Sequence, residues 1–482
     1  MSTFDLHAAA RRAMRESGFP IEFPPDALQE AQHASASLDH DGARDLRGLL
    51  WSSIDNPDSR DLDQIEFVEA LPDGSSRLLV GIADVDAFAP IASPLDRAAG
   101  ERTTTVYTGI ESFPMIPRTL SEGVTSLWDD QDRLAVVTEL HVGPDGDVLE
   151  TGVYRAWVRN RAKLAYEEIG AWLDNPGAPV PSSVQEVPGL DAQLRVQDAV
   201  SMRLRKVRLA AGALEFDTIE ARPVMEDGRV VDLAVTQRGR ARYLIENFMV
   251  AANTAVSGFL RSHGLPSIQR IVRRPARWER IVELARAAGE DLPGEPDASA
   301  LSEFLNRRKK ADPDHFPDLS LSIVKLLGPG EYAVIPPDGD LGEHFGLAVF
   351  GYTHSTAPNR RYIDLVTQRL LKAACAGAPT PYSLDELRAI AAHCNERAGA
   401  AQRVERIVRK SAAAVLLHGR VGETFKAIVT GVKAQGTYVR VLSPPVEGRV
   451  MHGERGLDVG DRVNVRLTGV DPERGFIDFE RV

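Results

Sequence analysis

The sequence predicts an α+β chain in three parts: a small helical module over residues 1–43, a mixed strand–helix body over 44–420, and a five-stranded OB-type β-barrel over 421–482. Three observations carry this. Apolar residues recur at helical spacing near the N-terminus. Between 44 and 420, period-two alternation is interleaved with long amphipathic runs. After Gly422, short alternating segments are punctuated by glycine.

Residues 4–17 read as one helix and 26–34 as a second, opened by Phe23-Pro24-Pro25, because proline is tolerated in a first helical turn. Two such helices make either a helix-turn-helix or a plain arm packed on the next domain. Arg77–Ala83 reads as a buried strand, and 134–158 as a hairpin around Gly143-Pro144-Asp145-Gly146. An arginine-rich helix is predicted over 191–210 and a long one over 237–263, closed by Gly264. Residues 287–300 and 310–318 are polar and proline-rich, which predicts loops. Helices follow over 360–376 and 383–417; the second opens on Ser383-Leu384-Asp385-Glu386, a capping-box spacing. Strands at 425–430, 437–442, 448–451, 462–470 and 475–480 complete the barrel.

A chain of 482 residues allows two to four domains. Its 43% hydrophobic content suffices for a large core, and 26% charged residues is ordinary. The net charge of −12 argues against a broad basic surface for duplex DNA, yet allows a locally basic channel. The two cysteines, Cys375 and Cys394, form no C-x-x-C pattern, so structural zinc is not expected. Both are expected to be buried thiols in a reducing compartment. No stretch approaches ~18 uninterrupted apolar residues, so no membrane span is expected. Met1–Gly18 is amphipathic and has no apolar signal region. These features predict a soluble, cytoplasmic protein.

The densest chemistry lies in Ile54-Asp55-Asn56-Pro57-Asp58-Ser59-Arg60-Asp61-Leu62-Asp63-Gln64, which holds four aspartates in nine positions. Asp, Asn, Pro and Ser are also ordinary turn formers. The flanks tip the balance: Leu49-Leu50-Trp51 leads in, and Ile65 and Phe67 follow, alternating with Glu66. Carboxylates between apolar strands are expensive unless a cation neutralises them. Hard divalent ions prefer such oxygens, and Mg²⁺ usually completes its shell with water and phosphate. The stretch therefore reads as a metal site for phosphodiester chemistry.

Asp55-x5-Asp61-x-Asp63 resembles the signature of the ribonuclease II/R (RNB) exoribonucleases, and further matches follow in order. They are Thr105-Val106-Tyr107, Phe113-Pro114-Met115-Ile116-Pro117-Arg118, Leu120-Ser121-Glu122, the helix from Tyr243 to Asn253, His344-Phe345-Gly346-Leu347 and Ala357-Pro358-Asn359-Arg360-Arg361-Tyr362. Residues 422–482 resemble the family's S1 domain. The resemblance implies an exoribonuclease II-type hydrolase that threads single-stranded RNA from its 3′ end and processively releases 5′-nucleoside monophosphates. Two departures stand out. The family's aspartate run ends in two adjacent carboxylates, whereas Gln64 follows Asp63 here. The family's paired cold-shock barrels do not fit in the roughly 43 residues before the catalytic body.

By this resemblance Asp55 and Asp61 hold a first Mg²⁺ (or Mn²⁺), and Asp63 holds a second ion or positions the attacking water. In a two-metal site the ions lie ~3.5–4 Å apart. Asp58 matches no ligand and reads as a turn residue; Gln64 is either a weak ligand or a bystander. Arg360 falls on the scissile or a neighbouring phosphate. Glu405 touches the terminal ribose or assists the leaving group, the other reading being a helix-surface pair with an arginine. Tyr107 and Phe216 stack on bases. Glu246 either pairs structurally or touches substrate. Phe425, Tyr438, Arg440 and His452 line the RNA face of the barrel. The competing reading is an RNA-binding protein that has lost hydrolysis because of Gln64. A nuclease acting on DNA is a third.

Overall fold

Buried apolar side chains on both sides of one sheet set the architecture of the central body. The computed structural model describes residues 4–34, 42–175, 177–217, 220–226, 229–236, 239–313 and 315–482. The predicted end of the N-terminal module, 35–41, and the predicted start of the long helix, 237–238, lie outside them.

Helix α1 (Leu6–Glu16) is capped by Asp5, whose carboxylate accepts the Ala8 N–H; α2 (Pro25–His33) starts on its proline. Next come β1 (Arg44–Asp45), β2 (Trp51–Asp55), β3 (Gln64–Ala70), β4 (Ser76–Ala83), α3 (Pro94–Arg102), β5 (Val106–Tyr107), β6 (Ser112–Phe113), β7 (Asp132–Val142) and β8 (Val148–Ala165). A helical layer follows: α4 (Tyr166–Asp174), α5 (Ser182–Gln185), α6 (Leu190–Ala210), the hairpin β9 (Glu220–Glu226) and β10 (Arg229–Thr236), and α7 (Arg240–Ser262). Then come β11 (Ser267–Ile271), α8 (Trp278–Ala287), α9 (Ala298–Ala311), α10 (Phe316–Leu327), β12 (Glu331–Ile335), β13 (Glu343–His344) and β14 (Val349–Phe350). Helices α11 (Tyr362–Cys375) and α12 (Leu384–Leu417) lead into β15 (Thr424–Lys433), β16 (Gly436–Val441), β17 (Glu447–His452), β18 (Arg462–Asp471) and β19 (Phe476–Arg481).

The main sheet has the order β1-β8-β2-β3-β4-β7, and β8 also pairs with β7. At 18 residues, β8 is long enough to run antiparallel to β7 and then parallel to β2, where Ile54 lies beside Leu164 and Asp55 beside Ala165. The sheet thus turns back on itself. One face packs Trp51, Ile65 and Leu79 against Ile363, Val366 and Leu370 of α11. The other packs Ile54, Val68 and Val80 against Leu194 of α6 and Leu244 and Phe248 of α7. With both faces covered, a polar side chain in mid-strand has no route to water.

The C-terminal strands close a barrel in the order β15-β16-β17-β19-β18. A methyl group at Gly448 would overlap the Phe479 ring, so glycine lets β17 close on β19. Against expectation, Phe425 is buried in this core, edge-on to Phe479. Helix α1 packs Ala10 and Met14 on Val404 and Val408 of α12, and Arg12 reaches the Glu473 carbonyl at 2.9 Å.

Two further expectations fail. Residues 298–300 and 316–318 are not loops but the first turns of α9 and α10. Asp297 caps α9 by accepting the Ala300 N–H, and Pro317 sits in the opening turn of α10, where it breaks no hydrogen bond. Cys375 is exposed rather than buried, whereas Cys394 is buried. Among the described residues, no helix is long and apolar enough to cross a membrane.

Candidate active site

Strand β2 ends at Asp55, and the chain loops through Asp61 and Asp63 into β3. Asp55 Oδ1 accepts the Asn56 N–H at 2.7 Å and the Ser59 hydroxyl at 3.0 Å, so the predicted turn folds around this carboxylate. Asp58 is exposed in that turn. Asp61 Oδ2 accepts the Tyr107 hydroxyl at 2.7 Å. Asp63 is 3% exposed; its Oδ1 accepts the Asn359 N–H at 2.9 Å and its Oδ2 the Arg360 Nε–H at 3.1 Å. Burial pushes the Asp63 carboxyl up to about 7; Arg360 opposes this and Asp61 adds to it.

Arg360 lies two residues before the start of α11, which Arg361 immediately precedes, and is held by its carbonyl, which accepts the Thr105 N–H at 3.0 Å. That bond draws the β5 segment, and with it Tyr107, toward the acidic loop. The Tyr107 N–H donates to Glu405 Oε1 of α12 at 3.3 Å. Glu405 is half-buried, and burial raises its carboxyl above the ordinary range. Asp61, Tyr107 and Glu405 form one hydrogen-bonded set and Asp63 and Arg360 a second, tied together by the Thr105 N–H on the Arg360 carbonyl, although Asp63 and Arg360 stand 297 positions apart in the chain.

The other candidates lie elsewhere. Phe216 is half-buried against the core formed by Trp278, Phe304 and Phe316. Glu246 pairs with Arg208 at 3.5 Å, within the distance of an ion pair. On the barrel, Tyr438 is half-buried with the Lys410 ammonium 5.5 Å from its ring centre, Arg440 is half-buried, and His452 is exposed on β17. Gln64 is 8% exposed at the start of β3.

Sequence reasoning missed Glu66. It is fully buried, and neither carboxylate oxygen has a hydrogen-bond partner. Its carboxyl is pushed well above the usual range, by burial first and by Asp55 second. It also missed Tyr166, which opens α4 directly after the Asp55–Ala165 pair and carries the Arg242 guanidinium 4.3 Å from its ring centre. Arg242 in turn donates to Asn56 Oδ1 at 3.1 Å.

Among the described residues, no three Asp, Glu, His or Cys side chains stand together at metal-holding spacing. The donor chemistry nonetheless suits a hard divalent ion: carboxylate oxygens at the end of a strand, with one buried carboxylate unsatisfied on the strand beside it.

The family model described as RNB domain matches residues 43–377. The chain belongs to the RNB family. A second model, described as RNase II-type exonuclease C-terminal S1 domain, matches residues 423–482. Ribonuclease R of Thermotoga maritima is 31% identical over 503 residues, covering 95% of this chain and 68% of that protein. Ribonuclease R of Escherichia coli is 29% identical over 517 residues, covering 98% of this chain and 61% of that protein. The structure of Mycoplasma genitalium RNase R in complex with ribose methylated single-stranded RNA superposes with a TM-score of 0.86 at 23% identity, covering 99% of this chain and 78% of that one. The same protein has also been solved in complex with double-stranded RNA.

Proposed function

We propose that this RNB-family chain is a divalent-metal-dependent hydrolytic exoribonuclease that degrades single-stranded RNA processively from the 3′ end to 5′-nucleoside monophosphates. The observation that carries this reading is the ion pair of buried Asp63 with the exposed Arg360, flanked by Asp61, Tyr107 and Glu405. A carboxylate and a guanidinium side by side, one for a cation and one for a phosphate oxygen, suit phosphodiester hydrolysis. The M. genitalium relative, solved with single-stranded RNA, supports the substrate class.

In this reading Asp55, Asp61 and Asp63 would hold Mg²⁺ or Mn²⁺, which would supply Lewis-acid and electrostatic assistance to hydrolysis. Arg360 clamps a non-bridging phosphate oxygen with the guanidinium nitrogens that Asp63 leaves unused. Tyr107 and Phe216 stack on bases, which tolerates any sequence. Glu405 touches the terminal ribose or assists the leaving oxygen. Tyr438, Arg440 and His452 guide the strand across the barrel. Membrane association is not part of this reading, and the enzyme acts as a cytoplasmic monomer. A 2′-hydroxyl contact near the 3′ end distinguishes RNA from DNA.

The test is digestion of a single strand, labelled at its 3′ end and separately at its 5′ end, with Mg²⁺ present. The 3′ label is expected to leave at once as mononucleotide while the 5′ label shortens progressively. Asp63→Asn is expected to bind the strand and release nothing. Wild type that binds without releasing mononucleotides establishes the RNA-binder reading instead.

A further inference from the structure

Asp364 is a fully buried carboxylate in the first turn of α11. An acid at that position ordinarily answers the free N–H groups of its own helix. This one is taken up outside the helix. Its Oδ1 accepts the Ala357 N–H at 2.8 Å and an Arg361 Nη2–H at 2.7 Å, and its Oδ2 accepts the Arg361 Nε–H at 2.8 Å. The Arg361 fork keeps the buried charge paired. The bond to Ala357 fixes the backbone seven residues upstream.

Ala357 is thereby held at both of its backbone groups, because its carbonyl accepts the Arg360 N–H at 3.2 Å and the Arg361 N–H at 2.9 Å. The turn closed in this way brings the Asn359 N–H and the Arg360 Nε–H onto Asp63. The segment before it is pinned separately by Asn253 of α7. The Asn253 side-chain oxygen accepts the Ser355 N–H at 2.9 Å and the Ser355 hydroxyl at 2.8 Å, and its backbone carbonyl accepts the Thr353 hydroxyl at 2.6 Å. The turn therefore hangs between two buried polar anchors, and Asp364 is the one that bears on Ala357.

We infer that Asp364 is a positioning residue: through Ala357 it sets the turn that aims the Arg360 guanidinium at the phosphate. This rests on the role proposed for Arg360, and the experiment separates the two. Single-turnover digestion of a single strand by the full chain with Mg²⁺ is measured for Asp364→Asn, Arg360→Ala and the double variant, with filter binding and Tm alongside. Asp364→Asn is expected to slow the reaction about 10- to 100-fold while strand affinity stays within about threefold of wild type, since misplacing a group that meets the reacting phosphate costs rate. In the Arg360→Ala background the same substitution is expected to cost at least about threefold less, because residues acting through one another are not additive. A residue that only stabilises α11 lowers Tm and costs the same in both backgrounds. Should Asp364→Asn fail to fold, Arg361→Lys keeps the charge but gives up the fork, and the same pair of backgrounds is compared. Losses equal within about threefold in the two backgrounds, or no loss beyond that, with Arg360→Ala itself slow, overturn the inference alone. An unchanged rate in Arg360→Ala overturns the role of Arg360.

Discussion

The acidic edge of the main sheet and the C-terminal barrel handle polarity in opposite ways. In the barrel, Phe425, Val439, Leu467 and Phe479 fill the interior, and polar residues alternate outward. Among the described residues of the barrel, no buried side-chain polar atom lacks a partner. The sheet edge instead buries Asp63 against Arg360 and leaves Glu66 with nothing. A region built for stability satisfies its polar groups internally, and one built for chemistry leaves some for a substrate or ion. The barrel should therefore respond to substitutions through packing, and the sheet edge through charge.

The largest effect expected at the sheet edge is from Asp63→Asn, a loss of about 10³-fold or more in kcat with RNA affinity kept, read by single-turnover digestion and filter binding. In the barrel the counterpart is Phe425→Ala. It should destabilise by about 3–5 kcal/mol, read by urea unfolding, while leaving Mg²⁺ binding unchanged. A barrel variant that altered cation affinity would break the contrast.

A pH titration sharpens the same comparison. The folded value for Asp63, about 7, lies above its ordinary 3.8. Its contribution to the stability of the metal-free protein is complete below the ordinary value and is lost as pH rises through about 7. Protons compete with the cation, so Mg²⁺ affinity should fall by up to about tenfold per unit as pH drops below that point. Unfolding of the barrel should show neither trend. Smaller effects come last. Tyr438→Ala should weaken single-strand binding by about 1–3 kcal/mol without changing single-turnover kcat, measured by fluorescence anisotropy. Gln64→Asp should lower the Mg²⁺ concentration for half-maximal activity a few-fold; no shift would place residue 64 away from the ion.

How far the sequence revealed this depends on whether a signal was local. The hairpin of β7 and β8 announced itself by its glycine-bounded turn, and α12 by a capping box that the structure contains in full. Helices α9 and α10 were hidden because Asp297 and Pro317 look like loop residues, although both serve as helix starts. The aspartates and Arg360 were legible as motifs, but the Asn359 N–H on Asp63 and the Tyr107 hydroxyl on Asp61 depend on chain folding across long separations. Glu66 misled for a physical reason. Alternating with Ile65 and Phe67, it has the pattern of a half-exposed strand. The sheet is covered on both faces, so the position that should meet water meets α6 and α7 instead.

The most direct test is a crystal soaked in Mn²⁺ and measured at the manganese edge. The account predicts an anomalous peak at the end of β2, with Asp55 oxygen within ~2.0–2.6 Å and neighbouring carboxylates of the acidic loop turned toward it. Manganese ordered elsewhere, with none beside Asp55, Asp61 or Asp63, would contradict it.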